Sequence, residues 1–195
     1  MTIETLTGAA IRPHLPALAR LRITVFRDFP YLYDGTEAAE ARHLDHFANS
    51  AHAALVIARA GGEIVGCSTC QPLGDQSEGL VAPFRAAGIE PGRVFYFGES
   101  VLLEAYRGQG VGVAFFAARE AHARSVNRYD LTTFCSVIRP EQHPLRPAGY
   151  VPLDGFWARR GYARRAEIVG RIAWKQVDGE EEVQNRLVFW TKALR

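Results

Sequence analysis

The chain has 195 residues, 48% of them hydrophobic and 23% charged, with a net charge of +2. That length can bury the core of one domain spanning residues 1–195, and a near-neutral balance with scattered arginines gives no electrostatic case for nucleic acid. No apolar run reaches the roughly 18 residues a membrane helix needs, and the N-terminal MTIETLTGAAIRPH lacks the basic and apolar regions of a signal peptide, so a cytoplasmic protein is expected.

Residues 2–7 alternate weakly and fit an edge strand. From Ile11 to Phe26 the apolar positions follow helical spacing, with Pro13 and Pro16 allowing an early break. The aromatic RDFPYLYDG then separates this helix from a second at residues 37–49, and Phe29, Tyr31 and Tyr33 are read there as loop packing or substrate contacts. Residues 53–60 and 63–71 are strand-like runs separated by Gly61-Gly62, the signature of a tight hairpin. Residues 72–92 form an insertion with a short helical segment, VAPFRAAG, expected to cover a site or meet a partner subunit.

Residues 94–103 are apolar on both faces, as in a strand covered on both sides, which makes the interruption Gly98-Glu99-Ser100 informative. A carboxylate in such a strand is costly unless paired or used. Alternation sends Ser100 to the opposite face from Glu99 unless the strand bulges. The turn RGQGVG, residues 107–112, leads into a helix over 111–124, in which His122 reads as a surface cation near the C-terminus. A parallel strand at 129–138 follows, then the proline-rich RPEQHPLRPAGYVPLDG. Asp154 is expected to cap a short helix over 155–160 closed by Gly161, and the last strands fall at 166–175 and 186–192, joined by an acidic turn.

Glycines 108, 110 and 112 let the backbone turn sharply and approach a ligand, while the helix behind them offers unpaired N–H groups and its positive dipole end. This is an anion cradle, suited to phosphate or pyrophosphate. A P-loop is excluded because no Lys follows the glycines, and a dinucleotide fingerprint from Gly108 would require glycine where Val113 stands.

What remains, Arg107-x-x-Gly110-x-Gly112 after an apolar strand and ahead of FWARRGY, resembles the acetyl-CoA-dependent GNAT superfamily of N-acyltransferases. The resemblance implies an α/β (α+β) GNAT fold, a mixed central sheet of about six to seven strands with helices on both faces. It implies that Arg107, Gly108, Gln109, Gly110, Val111, Gly112 and Val113 hold the CoA pyrophosphate, and that the pantetheine arm enters a splay between the central strand and its parallel neighbour. A backbone N–H at Leu102 or Leu103 would then be the oxyanion donor. The family's proton-donating Tyr position is occupied by Trp157, which cannot serve as an acid.

Glu99 is the expected general base, with a pKa raised by partial burial. His143 and Tyr150 in the long loop are the expected replacements for the acid. Arg139 and Arg146 in the same loop are read as surface residues or as ligands for a carboxylate or phosphate. Cys67 and Cys70 sit on a strand with side chains on opposite faces, and His43-x-x-His46 with Asp45 lacks further ligands, so no metal is expected. The sequence thus points to acetyl transfer from acetyl-CoA to the primary amine of a small or amino-acid-like acceptor. A non-catalytic CoA-binding module and a protein N-terminal or lysine acetyltransferase are the alternatives, and homodimerisation through the C-terminal strands is a further expectation.

Overall fold

The computed structural model describes residues 1–194. Seven strands form one sheet in the order β1-β2-β3-β4-β5-β7-β6. They are β1 (Thr2–Thr7), β2 (Ala54–Ala60), β3 (Glu63–Pro72), β4 (Val94–Leu102), β5 (Leu131–Val137), β6 (Ala163–Lys175) and β7 (Glu182–Ala193). Among the described residues only β4 and β5 pair in parallel, and the other neighbours are antiparallel. Helices α1 (Leu15–Phe26), α2 (Glu37–Ala48) and α3 (Glu78–Ala86) cover one face, and α4 (Val111–Val126) and α5 (Asp154–Arg159) the other.

The sequence patterns place most of these elements, with four differences. Helix α1 starts only at Leu15, because residues around Pro13 form 3-10 turns and Pro16 is tolerated in a first helical turn. The insertion is built into the fold: α3 buries Leu80, Val81 and Phe84 against Ile168 and Phe189, completing the face that α1 and α2 leave open. Asp154 is the first residue of α5 and caps nothing, while Gly161 follows the C-cap at φ +86° as expected. Strand β7 begins at Glu182, so part of the acidic segment is already strand.

The register of the sheet changes at one point that matters for function. Ser68 pairs with Ser100 and Cys70 with Phe97, so Gly98 and Glu99 together oppose Thr69. This is a bulge in β4. Beyond it β4 leaves its parallel neighbour: the two strands are paired only from Val94–Leu131 to Tyr96–Thr133. Ser100, in the middle of the central strand, is consequently exposed, and its hydroxyl lies 3.0 Å from that of Ser68.

Packing holds the bulge from both sides. The Glu99 N–H donates to Thr69 Oγ1 at 3.3 Å. On the α4 face, the buried Arg119 guanidinium lies 4.5 Å from the Phe97 ring centroid and 4.9 Å from that of Phe116. Its Nη1 is 3.5 Å from the Thr69 carbonyl, and among the described residues no carboxylate forms an ion pair with it. Burial pushes its pKa down to about 10, which leaves it charged at neutral pH.

A Cβ at Gly98 would stand 2.4 Å from Thr69 Oγ1, the atom that accepts the Glu99 N–H. Gly98→Ala is therefore expected to lower stability by about 1–3 kcal/mol, read as a lower urea midpoint at unchanged m-value. An unchanged midpoint would show that the bulge tolerates a side chain there.

Candidate active site

The opening between β4 and β5 has chemistry on both sides. In an antiparallel pair, bonded and non-bonded positions alternate. The Leu103 N–H donates to the Val65 carbonyl at 3.0 Å, so the Leu102 N–H one residue earlier points away from β3, toward the gap that β5 has left. This corrects the expectation for Leu103, whose N–H is committed to the sheet and is not available as an oxyanion donor. Leu102 alone retains that capacity.

At one end of the gap lies the glycine turn. Gly108 and Gly110 adopt φ of +76° and +83°, with open space where a Cβ would project. Helix α4 begins at Val111 without a side-chain cap, so the N–H groups of Val111, Gly112 and Val113 face outward with the positive end of a 16-residue helix dipole behind them. Arg107 folds back, its Nε donating to the Leu102 carbonyl at 3.3 Å, and Gln109 Nε2 donates to the Ala105 carbonyl at 3.2 Å. Both side chains thus brace the turn and leave the backbone N–H groups as the donors it presents. The residues fit a pyrophosphate.

Glu99 lies on the opposite face, under α1 and α2. Its Oε2 accepts from Arg22 Nη1 at 2.5 Å, and Arg22 Nε donates to Glu40 Oε2, also at 2.5 Å. Glu40 is fully buried, Glu99 is 9% exposed, and one guanidinium thus serves two carboxylates. Burial pushes the Glu99 carboxyl upward, but Arg22, then His43, and the Thr69 hydroxyl outweigh it, and the net shift is downward. The expected raised pKa is therefore corrected: Glu99 is ionised at neutral pH. His43 follows Glu40 by three residues on α2 and is exposed at the edge of this cluster. Partial desolvation against the cluster and then the charge of Arg22 push its pKa below the ordinary imidazole value, against the pull of Glu99 and Glu40, which favours the neutral ring.

The remaining candidates gather at the lip. The His143 ring is 5.6 Å, and the Tyr150 ring 4.8 Å, from that of Phe29, so both pack on the connection between α1 and α2. His143 Nδ1 accepts the Leu145 N–H at 3.2 Å, and burial raises the Tyr150 pKa. Neither is hydrogen-bonded to Glu99; Tyr31 is within electrostatic reach of both Tyr150 and Glu99. Arg139 is not a ligand in waiting, since its Nε and Nη2 donate to the carbonyls of Pro30 and Tyr31 at 2.7 and 2.8 Å. Arg146 stacks over Tyr150, 5.2 Å from its centroid. Trp157 is wedged on the other face, its ring 5.2 Å from both Phe134 and Trp190.

The cysteines take no part. Cys67 and Cys70 are fully buried in clusters on opposite faces, and burial pushes both thiols up to about 12. Cys135, its Sγ 3.3 Å from the Tyr96 hydroxyl, is pushed up to about 11 by burial. His122 is part-buried near the end of α4, its Nε2 2.9 Å from the His52 carbonyl. Among the described residues no group of three or more His, Cys, Asp or Glu side chains is placed to hold a metal, and no helix is long and apolar enough to cross a membrane.

The sequence matches the family model described as Acetyltransferase (GNAT) family over residues 18–147. The chain belongs to the GNAT acetyltransferase family. Its fold recurs in ribosomal-protein-alanine N-acetyltransferase from Brucella melitensis, at a TM-score of 0.62 and 15% identity, with 99% of each chain covered. It recurs in yncA from Salmonella typhimurium, solved with its cofactor acetyl-CoA, at a TM-score of 0.62 and 12% identity, covering 100% of this chain and 95% of that one. Aminoglycoside 6'-N-acetyltransferase complexed with coenzyme A gives 0.59 at 14% identity, covering 100% of this chain and 98% of that one. No curated protein matches the sequence. The GNAT match includes Arg22, Glu40, Glu99 and the glycine turn, and ends before Trp157.

Removing Arg22 would strand two buried carboxylates. Arg22→Met is expected to destabilise the protein by about 3–5 kcal/mol at pH 7, and the additional change Glu40→Gln to restore part of the loss. Because the folded Glu99 pKa is depressed, its contribution is complete above the unfolded carboxyl value and is lost as pH falls through the folded one. Melting temperatures of wild type and Glu99→Gln should therefore converge on acidification below about pH 4. Equal stability of Arg22→Met and wild type at pH 7 would contradict the shared ion pair.

Proposed function

We propose that the protein transfers the acetyl group of acetyl-CoA to a primary amine of a small molecule by direct attack. The observation that carries this reading is the placement on one strand, β4, of a Leu102 N–H that faces the gap left by β5 and, three residues earlier, of the Glu99 carboxylate under α1 and α2. The backbone of Arg107 to Val113 would hold the pyrophosphate, with the α4 dipole favouring its charge. Leu102 N–H would stabilise the carbonyl oxygen as negative charge develops there, in a fixed position that needs no reorganisation.

On the acceptor side the ionised Glu99 binds and orients the incoming ammonium. A carboxylate with a depressed pKa is a poor final proton acceptor, whereas neutral His43 at the edge of the cluster is suited to carry the proton to solvent through water. Tyr150 and His143 remain the candidates for protonating the leaving thiolate, from the lip. A protein acceptor is less well supported, because the α1–α2 connection is tied down across the site by Arg139 and by the bridge between Tyr33 and Gln176.

Acetyl-CoA at about a hundredfold its dissociation constant should add roughly 2.7 kcal/mol to stability, seen as a rise in melting temperature that NAD and ATP do not reproduce. With an active acceptor, Glu99→Gln should lower kcat/KM by about 10²-fold while leaving the acetyl-CoA shift intact. The acid limb of kcat/KM should fall below about pH 6.5 and disappear in His43→Gln. No acetyl-CoA shift on folded protein would refute the donor assignment, and full activity of Glu99→Gln would refute its role.

A further inference from the structure

The α1–α2 connection is a fixed wall rather than a loose loop. The Tyr31 carbonyl accepts from Arg139 at 2.8 Å and from Trp174 Nε1 at 3.1 Å, the Leu32 carbonyl from the Val177 N–H at 2.8 Å, and the Asp34 N–H donates to Lys175 at 2.9 Å. Its rings are held with it. Tyr31 lies 4.4 Å from Phe26 and 6.3 Å from Trp174, while Phe29 meets Tyr150 edge-on. Phe26 is in turn 5.2 Å from the guanidinium carbon of Arg22, the residue that grips Glu99. A part-exposed aromatic surface therefore runs from Trp174 through Tyr31 and Phe26 to Arg22, the residue paired with Glu99.

Charge along the same surface is one-sided. Arg22 is already divided between Glu99 and Glu40, whose Oε1 is a buried acceptor lacking a hydrogen bond of good geometry. Arg139 is spent on carbonyls, and Arg27 and Lys175 both pair with Asp34. Arg146, the remaining cation at the lip, lies over the Tyr150 ring. An ammonium is welcome beside Glu99, and aromatic faces add to its attraction. A carboxylate on the carbon next to that nitrogen would be forced against Glu99, whose own cation Arg22 is already shared, while Arg146 is held away over the Tyr150 ring.

We propose that the acceptor is a primary amine with an apolar, aromatic body and no carboxylate beside the nitrogen, of the arylalkylamine type. The inference rests on the acetyltransferase reading above and replaces the amino-acid-like acceptor with a narrower class. Tyr31 and Trp174 set the specificity, the rings by stacking and Glu99 by charge.

The test measures CoA release by the full chain from acetyl-CoA with phenethylamine, tryptamine, phenylalanine, spermidine and an aminoglycoside, beside the melting temperature with acetyl-CoA alone. Phenethylamine or tryptamine should be used with kcat/KM about 100-fold above phenylalanine, and Trp174→Ala should raise the KM for tryptamine roughly tenfold with the KM for acetyl-CoA within about twofold of wild type. Phenylalanine within tenfold of phenethylamine, or preference for spermidine or the aminoglycoside, overturns the proposal. So does the absence of any arylalkylamine turnover when acetyl-CoA raises the melting temperature, which leaves the donor assignment standing. If acetyl-CoA produces no shift, the acetyltransferase reading fails and the acceptor proposal with it.

Discussion

One additional residue in β4 sets the layout of the site. Because Gly98 and Glu99 share Thr69 as their partner, the central strand bends at that point and cannot follow β5 beyond Tyr96. The bend costs a stretch of parallel ladder in the middle of a sheet, and a row of backbone groups is left facing the opening. A helix-covered sheet would ordinarily pair those groups. Here the gap lies at the end of the glycine turn, and the unpaired Leu102 N–H faces it.

The bulge also settles on which face each polar group falls. Glu99 turns toward α1 and α2, while Ser100 and the Phe97 ring face α4, whose buried Arg119 lies between the rings of Phe97 and Phe116. Two charged networks thus flank one distortion. On the acceptor side, Arg22 answers two carboxylates at once, so the cluster keeps a negative excess and Glu99 stays ionised. Desolvation alone would have neutralised it, and the balance is decided by a guanidinium in direct contact. In the proposed reaction such a cluster would attract and orient a cation and leave proton removal to a neighbour.

Most of the architecture was legible because it is local. Two glycines between strand-like runs specify the hairpin at Gly61-Gly62, and the turn from Arg107 to Gly112 announces the start of a helix. The interruption at Gly98-Glu99 was visible as a polar break in an apolar strand, although only the pairing register shows that it is a bulge. What the sequence concealed is long-range. Arg22 and Glu99 are 77 positions apart, and nothing local singles out Arg22 from the other arginines. The same holds for Arg139, whose donors go to backbone carbonyls more than a hundred residues away in the chain. The seat of the insertion was concealed in the same way, because Leu80, Val81 and Phe84 find their partners on β6 and β7, late in the sequence.

The claim on which this account depends is that β4 carries an unpaired, reachable amide at Leu102 beside one that is fully paired at Leu103. Amide hydrogen exchange resolved by residue tests it directly. Leu103 should be strongly protected in the free protein, Leu102 should exchange far faster, and acetyl-CoA should slow Leu102 alone of the two. Equal protection of both amides without ligand, or a Leu102 rate that acetyl-CoA leaves unchanged, would contradict it.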